Sequence, residues 1–500
     1  MEMSGLITVL EILSSLFIAV IGVGVLCVIA LYVIDVTQTK HAVRRNFPVV
    51  GRMRYVLEDM GEFLRQYLFS QDREEMPFNR AERSYVYRAA KNVDTTVAFG
   101  STRRLNSTGT VIFANCAFPM LDNETRSAGE VEIGPYARTP YCTCSIFNVS
   151  GMSFGAISRP AVLALSRGAK AAGVWMNTGE GGLSPFHLEG GADIVFQIGT
   201  AKYGVQDGQG NLSDEKLRQV AAHEQVRMIE IKLSQGAKPG KGGILPGAKV
   251  TAEIANIRGI PMGEDSISPN RHPEVENAGD LLDMIAHIRE VTGKPVGFKA
   301  VIGAYGWLED LFEEINTRGI ESAPDFITID SADGGTGAAP PSLIDYVGLP
   351  IHESLPLVVD MLAAHGLRER IKVATSGKLI TPAEVAWALC VGADFVNSAR
   401  GFMFSLGCIQ ALQCNKNTCP TGITTHDARL QKGLDPTNKS RRVQSYAEHM
   451  HHEIDIIAHS CGVAEPRELG RVHCRIVGND GRSRGLDELY PMPEPRALAG

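Results

Sequence analysis

The chain has 500 residues, 44% of them hydrophobic and 21% charged, with a formal net charge of −7. Those fractions are ordinary for a folded protein with at least one large core, and the length allows several domains. An acidic balance without a large basic face gives no support for nucleic-acid binding.

The N-terminus departs from that average. Residues 12–34 read ILSSLFIAVIGVGVLCVIALYVI, 23 positions without a charge. At about 1.5 Å per residue, such a helix is long enough to cross a bilayer core. The preceding MEMSGLITVLE contains no Lys or Arg, which argues against a secretory signal peptide. Lys40, Arg44, Arg45, Arg52 and Arg54 follow. The positive-inside rule places them, and the rest of the chain, on the cytoplasmic side of the inner membrane. A buried core helix is the alternative, but core helices this long usually keep a polar face. Residues 1–40 therefore read as a single-pass membrane anchor.

Residues 41–145 read as an α+β lead-in packed on the main domain. QTKHAVRRNFPVVGRMRYVLEDMGEFLRQYLF is basic and then helical in period. A further helix is expected over 80–91, and strands in VDTTVAFGS and GTVIFANCAF. In YCTCSIFNVS, strand alternation points Cys142 and Cys144 to one face, and core packing is their expected role.

From residue 146 a short apolar strand, a Gly-rich turn and a helical stretch recur. Strands are expected at 146–149, 174–177, 228–233, 296–301, 326–330, 372–375 and 395–397, with a weaker eighth at 349–353. Helices are expected at 159–172, 279–292 and 382–391. This alternation predicts an α/β fold, a (β/α)8 TIM barrel over residues 146–430. No G-x-G-x-x-G with a distant acidic partner follows the first strand, so a Rossmann dinucleotide site is not supported. Residues 431–500 read as a helical extension that becomes irregular. Within it, EHMHHE (448–453) brings Glu448 near His452, and His449 near both His452 and Glu453, at helical spacing. An exposed amphipathic helix accounts for that pattern better than a metal site, because no metal-binding motif is matched.

Barrel chemistry sits at the C-terminal ends of the strands, and here those ends are polar and glycine-rich. They carry SGMSFGAIS (150–158), NTGEGG (177–182), SQGAKPGKGG (234–243), DSADGGTGA (330–338), SGK (376–378) and SARG (398–401). Glycines let backbone N–H groups approach a flat ring or a phosphate. Phosphate sites in such barrels come from the loops after the last two strands, so Ser376, Gly377, Ala399, Arg400 and Gly401 are assigned to phosphate binding. Lys299 stands within the apolar strand VGFKAVIG, an unlikely place for an ordinary surface lysine.

In this order, SGMSFGAIS, NTGEGG, SQGAKPG, ADGGTGA and GCIQALQCNKNTCPTG resemble the synthase domain of glutamate synthase, most closely the short FMN-binding glutamate synthase family. The resemblance spans about residues 130–430. It implies FMN in the barrel beside a 3Fe–4S cluster. It also implies reductive amination of 2-oxoglutarate, with hydride passing from reduced FMN to 2-iminoglutarate to give L-glutamate. Ser150, Met152, Asn177, Lys299, Asp333, Gly334 and Gly335 then join the cofactor-binding positions. Lys238 and Arg258 lie where the family binds its dicarboxylate substrate, and Glu180 is the acid for proton handling or imine binding.

Cys408, Cys414 and Cys419 form C-x5-C-x4-C. In a reducing compartment clustered thiols are more often metal ligands or redox groups than disulfides. Spacing alone leaves zinc completed by His426 beside an iron–sulfur cluster, and the resemblance implies the cluster, fed by a donor such as ferredoxin. Two positions differ from the large enzymes: Ile244 replaces a glutamine that helps hold substrate, and Lys241 replaces an acidic residue. No glutaminase, β-helix or pyridine-nucleotide segment is recognisable, so nitrogen is expected as free ammonia, an amine or from a partner chain. Two other functions fit the same residues: a related amine reaction such as forming N-methylglutamate, and an electron-transfer subunit without a small substrate.

Overall fold

The computed structural model describes residues 2–64, 68–93 and 96–494. Outside them lie residue 1 of the N-terminal anchor segment, 65–67 of the lead-in, 94–95 of VDTTVAFGS and 495–500 of the C-terminal extension. The chain forms two compact units, Met1–Ala81 and Glu82–Gly500.

In the first unit, Glu2–Thr37 is one continuous helix. Its segment Ile7–Thr37 is a candidate membrane span by length and composition: 31 residues, with none of its most apolar window buried. At about 1.5 Å per residue it measures about 46 Å, more than the hydrocarbon core of about 30 Å. Two further helices follow, Ala42–Asn46 and Gly51–Leu64.

In the second unit, eight parallel strands close into a barrel. They are β1 Phe147–Val149, β2 Met176–Asn177, β3 Ile194–Ile198, β4 Val226–Lys232, β5 Val296–Val301, β6 Phe326–Asp330, β7 Lys372–Ser376 and β8 Phe395–Ser398. Each neighbours the next, and β8 closes on β1. Seven lie where the apolar periodicity predicts them. The eighth does not. The stretch 349–353 is no strand, because Pro350 opens the helix Ile351–Ala364. The missing strand is β3, whose polar Gln197 points into the barrel and interrupts the apolar run.

The helices form for local reasons. Arg159–Ala172 starts on Ser158, whose hydroxyl accepts from the Ala161 N–H, and stops at Gly173 in the left-handed region. Pro382–Val391 starts on a capping box of Thr381 and Glu384. Pro436–Ser460 buries Val443, Tyr446, Ala447, Met450, Ile454 and Ala458 at helical spacing. Its EHMHHE segment is thus part of an amphipathic helix. There His451 Nε2 accepts from the N–H groups of Ile146 and Phe147, at 3.3 and 3.4 Å, at the start of β1.

The N-terminal end of the barrel is plugged by a hairpin, Val131–Ile133 with Tyr141–Thr143. Ile133 and Tyr141 pack on Trp175, Val195, Met228, Phe326 and Phe395. The expectation that Cys142 and Cys144 serve the core is corrected here: both are exposed. Tyr141 and Thr143 take the inward positions, which turns the thiols outward. Of the expected lead-in strands, Val111–Phe113 forms, but the described residues of VDTTVAFGS are not a strand. Val111–Phe113 pairs with Cys474–Val477, which pairs with Ser483–Gly485. The tail that reads as irregular therefore completes a small antiparallel sheet.

One buried histidine sets an acid limit on this fold. His187 Nδ1 accepts from the Ser184 N–H at 3.0 Å, while its buried Nε2 has no partner. Burial pushes its pKa down to about 3. The unfolded chain binds a proton there below about pH 6.5, and the folded chain does so only near 3. Its stabilisation is therefore full above the unfolded value and is lost as pH falls toward the folded one. The urea midpoint should drop between about pH 7.5 and about pH 5, and drop less in His187→Gln, which cannot be protonated.

Candidate functional site

The C-terminal strand ends open into a cleft. Its floor is charged. The register of β4 and β5 sets Lys232 beside Lys299, both buried. Lys299 Nζ lies 3.1 Å from Asp330 Oδ2 on β6. Asp330 also accepts from Ser376 Oγ on β7 at 2.6 Å and from the Gly236 N–H at 2.9 Å. Burial opposes both charges, but each offsets it for the other. Lys299 is held above the ordinary lysine value, with Glu230 adding to Asp330, and Asp330 lies below the usual carboxylate range. One layer deeper, Glu230 accepts from Asn177 Nδ2 at 2.8 Å, and from Gln197 Nε2 and Thr328 Oγ1 at 2.6 Å. Three strands thereby fix a carboxylate beneath the lysines.

Ser150, Gly335, Ser376, Gly377, Lys378, Ala399 and Arg400 line the cleft walls. Gly377 has φ of 133°, and a side chain there would collide with Ser331 Cβ, so only glycine fits this turn. Arg400 Nη2 donates to the Asp333 carbonyl at 3.3 Å, and the Asp333 carboxylate pairs with Lys378 Nζ at 2.8 Å. Burial lowers the Arg400 pKa, though a guanidinium stays charged.

Beside the cleft, Glu180 is ringed by cations. Lys232 Nζ lies 2.9 Å from Glu180 Oε1. Burial opposes its ionisation, but Lys232, Lys238 and Arg258 hold it below the usual carboxylate range. A side chain at Gly199 or Gly243 would come within 2.6 Å of a Glu180 carboxylate oxygen, so both glycines make room for it. Lys238 and Arg258 are each 4% exposed, and among the described residues neither forms a salt bridge. The Arg258 guanidinium lies over the Tyr203 ring, 5.0 Å from its centroid, and its buried Nε has no partner.

Three consecutive carbonyls of the loop after β1 tie these parts together. Phe154 O accepts from Arg258 Nη2 at 3.2 Å, Gly155 O from His426 Nε2 at 2.8 Å and Ala156 O from Lys249 Nζ at 2.9 Å. Lys249 Nζ also donates to the Cys414 carbonyl at 3.2 Å. Burial pushes this lysine down to about 8. Cys408, Cys414 and Cys419 are close enough to raise one another's pKa. Burial pushes the Cys408 thiol up to about 12. Burial also opposes ionisation of Cys419, but hydrogen bonds from Thr421 and Thr424 outweigh it and the thiol lies below its ordinary value. Among the described residues no three His, Cys, Asp or Glu side chains converge on one metal ion.

The model of the conserved region in glutamate synthase matches residues 123–464. The chain belongs to the glutamate synthase family. It is 39% identical over 521 aligned residues to the glutamate synthase large subunit-like protein YerD of Bacillus subtilis (strain 168), covering 96% of this chain and 98% of that one. It is 35% identical over 316 residues to the archaeal-type glutamate synthase (NADPH) of Thermotoga sp. (strain RQ2), covering 63% of this chain and 59% of that one. Among solved structures, a mandelate oxidase variant with a monooxide FMN adduct aligns with a TM-score of 0.45 at 13% identity, over 84% of this chain and 99% of that one.

All candidate cofactor, substrate and metal residues named from sequence lie inside the region matched by the glutamate synthase model. Ser150, Lys299, Gly335, Ser376, Gly377, Ala399 and Arg400 line one cleft, and Glu180, Lys238 and Arg258 form the adjoining cluster. Four do not face the cleft in this way. Asn177 is turned to Glu230, Asp333 is paired with Lys378, Gly334 packs on Gly236, and Gly401 packs under the Tyr446 hydroxyl. Met152 is buried in the loop after β1. Sequence reasoning missed Lys232, Glu230, Asp330 and Lys249. The first two stand in the apolar strand MIEIKL, the same signal that marks Lys299.

Proposed function

We propose that the cleft holds FMN and that the chain reductively aminates 2-oxoglutarate to L-glutamate, with the thiol loop holding a 3Fe–4S cluster. The observation that carries this reading is the charge balance around Glu180. Lys232 is matched by Glu180, which leaves Lys238 and Arg258 as two buried positive charges beside the cleft. A dicarboxylate gives each of these two cations a carboxylate, and Arg258 Nε, without a partner among the described residues, is a donor for one of them.

The cleft lies at the strand ends where barrels bind cofactors, and Ser376, Gly377, Ala399 and Arg400 line the part that would hold the phosphate. FMN supplies hydride chemistry and an iron–sulfur cluster supplies single electrons. Lys299 keeps a positive charge on the cleft floor, and Glu180 holds or moves the proton at the substrate nitrogen. Cys408, Cys414 and Cys419 supply three thiols from one loop, and thiolate is the ligand that iron–sulfur clusters favour. Electrons come from a small donor such as ferredoxin, and nitrogen comes as ammonia. The apolar N-terminal helix anchors the enzyme in the cytoplasmic membrane, catalytic unit inward.

A second reading exchanges ammonia for a small alkylamine. Ile244 follows Gly243, which abuts the Glu180 carboxylate, and is 40% exposed there. Ile244 is also the position where the large enzymes carry a glutamine that helps hold substrate, and an apolar residue there favours an alkylated nitrogen.

Anaerobically purified protein should contain FMN and iron, and when chemically reduced should convert 2-oxoglutarate and ammonia to glutamate. Faster turnover with methylamine selects the second reading, and a protein without flavin sinks both. Lys238→Met should raise the KM for 2-oxoglutarate by roughly 10- to 100-fold, the loss of one charge-assisted hydrogen bond. An unchanged KM would remove Lys238 from the substrate site, and a flavin- and iron-loaded protein that turns over neither amine would favour an electron-transfer subunit.

A further inference from the structure

The first unit contains an amphipathic helix with its polar side turned inward. Asp35, near the end of Glu2–Thr37, is fully buried. It accepts from Arg52 Nε at 2.9 Å, Arg52 Nη2 at 2.7 Å and the Val49 N–H at 2.9 Å. Gly51 approaches Ala42–Asn46 so closely that a side chain there would come within 2.7 Å of the Val43 carbonyl oxygen. Tyr55 meets the His41 ring edge-on at 5.1 Å and lies under the Arg44 guanidinium at 4.4 Å. Gly51–Leu64 is therefore clamped to the end of the long apolar helix through Arg52 and Tyr55, residues of its polar side.

The opposite side faces out. At about 100° per residue, Val50, Met53, Val56, Leu57 and Met60 fall within an arc of about 120°. They are 71%, 62%, 54%, 54% and 49% exposed. A contiguous apolar stripe of this kind needs a partner. Two features identify it. The stripe lies next to the end of Ile7–Thr37, because the Asp35–Arg52 clamp fixes its helix to the end of that segment. From Val36 to Leu57 the chain has no acidic residue but carries Lys40, Arg44, Arg45, Arg52 and Arg54, and the positions of Glu58, Asp59 and Glu62 fall on the side of the helix away from the stripe. Asp35 neutralises Arg52, and four cations remain for anionic groups. A surface that is apolar and cationic at once matches the headgroup region of an anionic bilayer.

We propose that the Val50–Met53–Leu57–Met60 stripe lies in the headgroup region of the cytoplasmic leaflet and is a second membrane contact beside the span. The proposal rests on the reading of Ile7–Thr37 as that span.

The test uses the full chain reconstituted in vesicles of phosphatidylcholine and phosphatidylglycerol, with acyl chains brominated near the headgroup or near the tail end. Tryptophan is introduced as Met53→Trp, Glu58→Trp or Val20→Trp, and the signal of the parent's 3 tryptophans is subtracted. Shallow bromines should quench Met53→Trp roughly twofold or more over Glu58→Trp, as an interfacial depth requires. Leaving out phosphatidylglycerol should lower that quenching. Equal quenching at the two positions overturns the proposal. So does a Met53→Trp shielded from aqueous iodide but untouched by either lipid, which assigns the stripe to a second copy or to the catalytic unit. Val20→Trp, read with deep bromines, reports the span alone. If it stays unquenched while Met53→Trp is quenched, the span reading falls and the surface contact stands.

Discussion

Lys299→Met should abolish turnover and lower the stability of the catalytic unit by about 3–5 kcal/mol, because it leaves a buried carboxylate without its cation. The Lys299 and Asp330 side chains are 9% and 8% exposed and their charged atoms are 3.1 Å apart. Asp330 would keep its bonds from Ser376 and Gly236, but hydrogen bonds alone do not compensate a buried charge next to a second one on Glu230. Urea unfolding of the purified protein measures the loss as a lower midpoint at unchanged slope. The double variant Lys299→Met/Asp330→Asn separates folding from chemistry. Neutralising both partners should restore much of the stability, yet turnover should stay lost, since the positive charge on the cleft floor is still missing. A Lys299→Met protein that keeps its turnover would reduce the lysine to a structural ion pair. The pair also predicts acid sensitivity. The Asp330 pKa is lowered in the fold, so its contribution is present above the unfolded carboxylate value and is lost as pH falls through the folded one.

The residues that carry this prediction were unequally legible in the sequence. Lys299 stands out because a lysine inside an apolar strand is rare. Its partner does not, because Asp330 ends a strand and begins a loop, where acids are common. The link between them is the barrel register, which sets β5 beside β6 and aligns Val301 with Asp330. No local pattern encodes that alignment. The same holds for Lys232 and Glu180, which lie on β4 and in the loop after β2, with β3 between them. Strands that are apolar on both faces were found, to the residue in β5 and β6. β3 was missed because the barrel interior at this level is polar, and its Gln197 donates to Glu230. The false strand at 349–353 has the apolar content of a strand, but Pro350 followed by a charged, helix-compatible run is a helix start. The glycine-rich strand ends were the most reliable guide. Their glycines are fixed by collisions, as at Gly377 and Gly243, and collisions leave no choice of residue.

Cys419→Ala should remove the iron and leave the flavin, whereas Lys249→Met should keep the iron and change its potential. The two sites differ in what they touch. Cys419 offers the thiol with the lowest proton affinity of the three, set by Thr421 and Thr424 against the effect of burial, so it is the thiolate most ready to bind metal. Lys249 offers no ligand. It is 2% exposed, and its ammonium bridges the Ala156 and Cys414 carbonyls. Any thiolate cluster in this loop carries negative charge, and a buried ammonium nearby favours each added electron. At an effective dielectric of about 20 and a separation of about 6 Å, one charge is worth about 3 kcal/mol, or on the order of 100 mV. The midpoint potential of Lys249→Met should therefore be more negative by that order, with Lys249→Arg close to the parent. Redox titration followed by electron paramagnetic resonance measures it directly, whatever the state of turnover. The carbonyl chain gives the shift a second consequence. Arg258, His426 and Lys249 hold Phe154, Gly155 and Ala156 in succession, so one loop joins the dicarboxylate cations to the thiols. Losing the ammonium frees one end of that loop, and the KM for 2-oxoglutarate should rise together with the shift in potential. A shift in potential without any change in KM would mean that Lys249 acts on the thiol loop by charge alone.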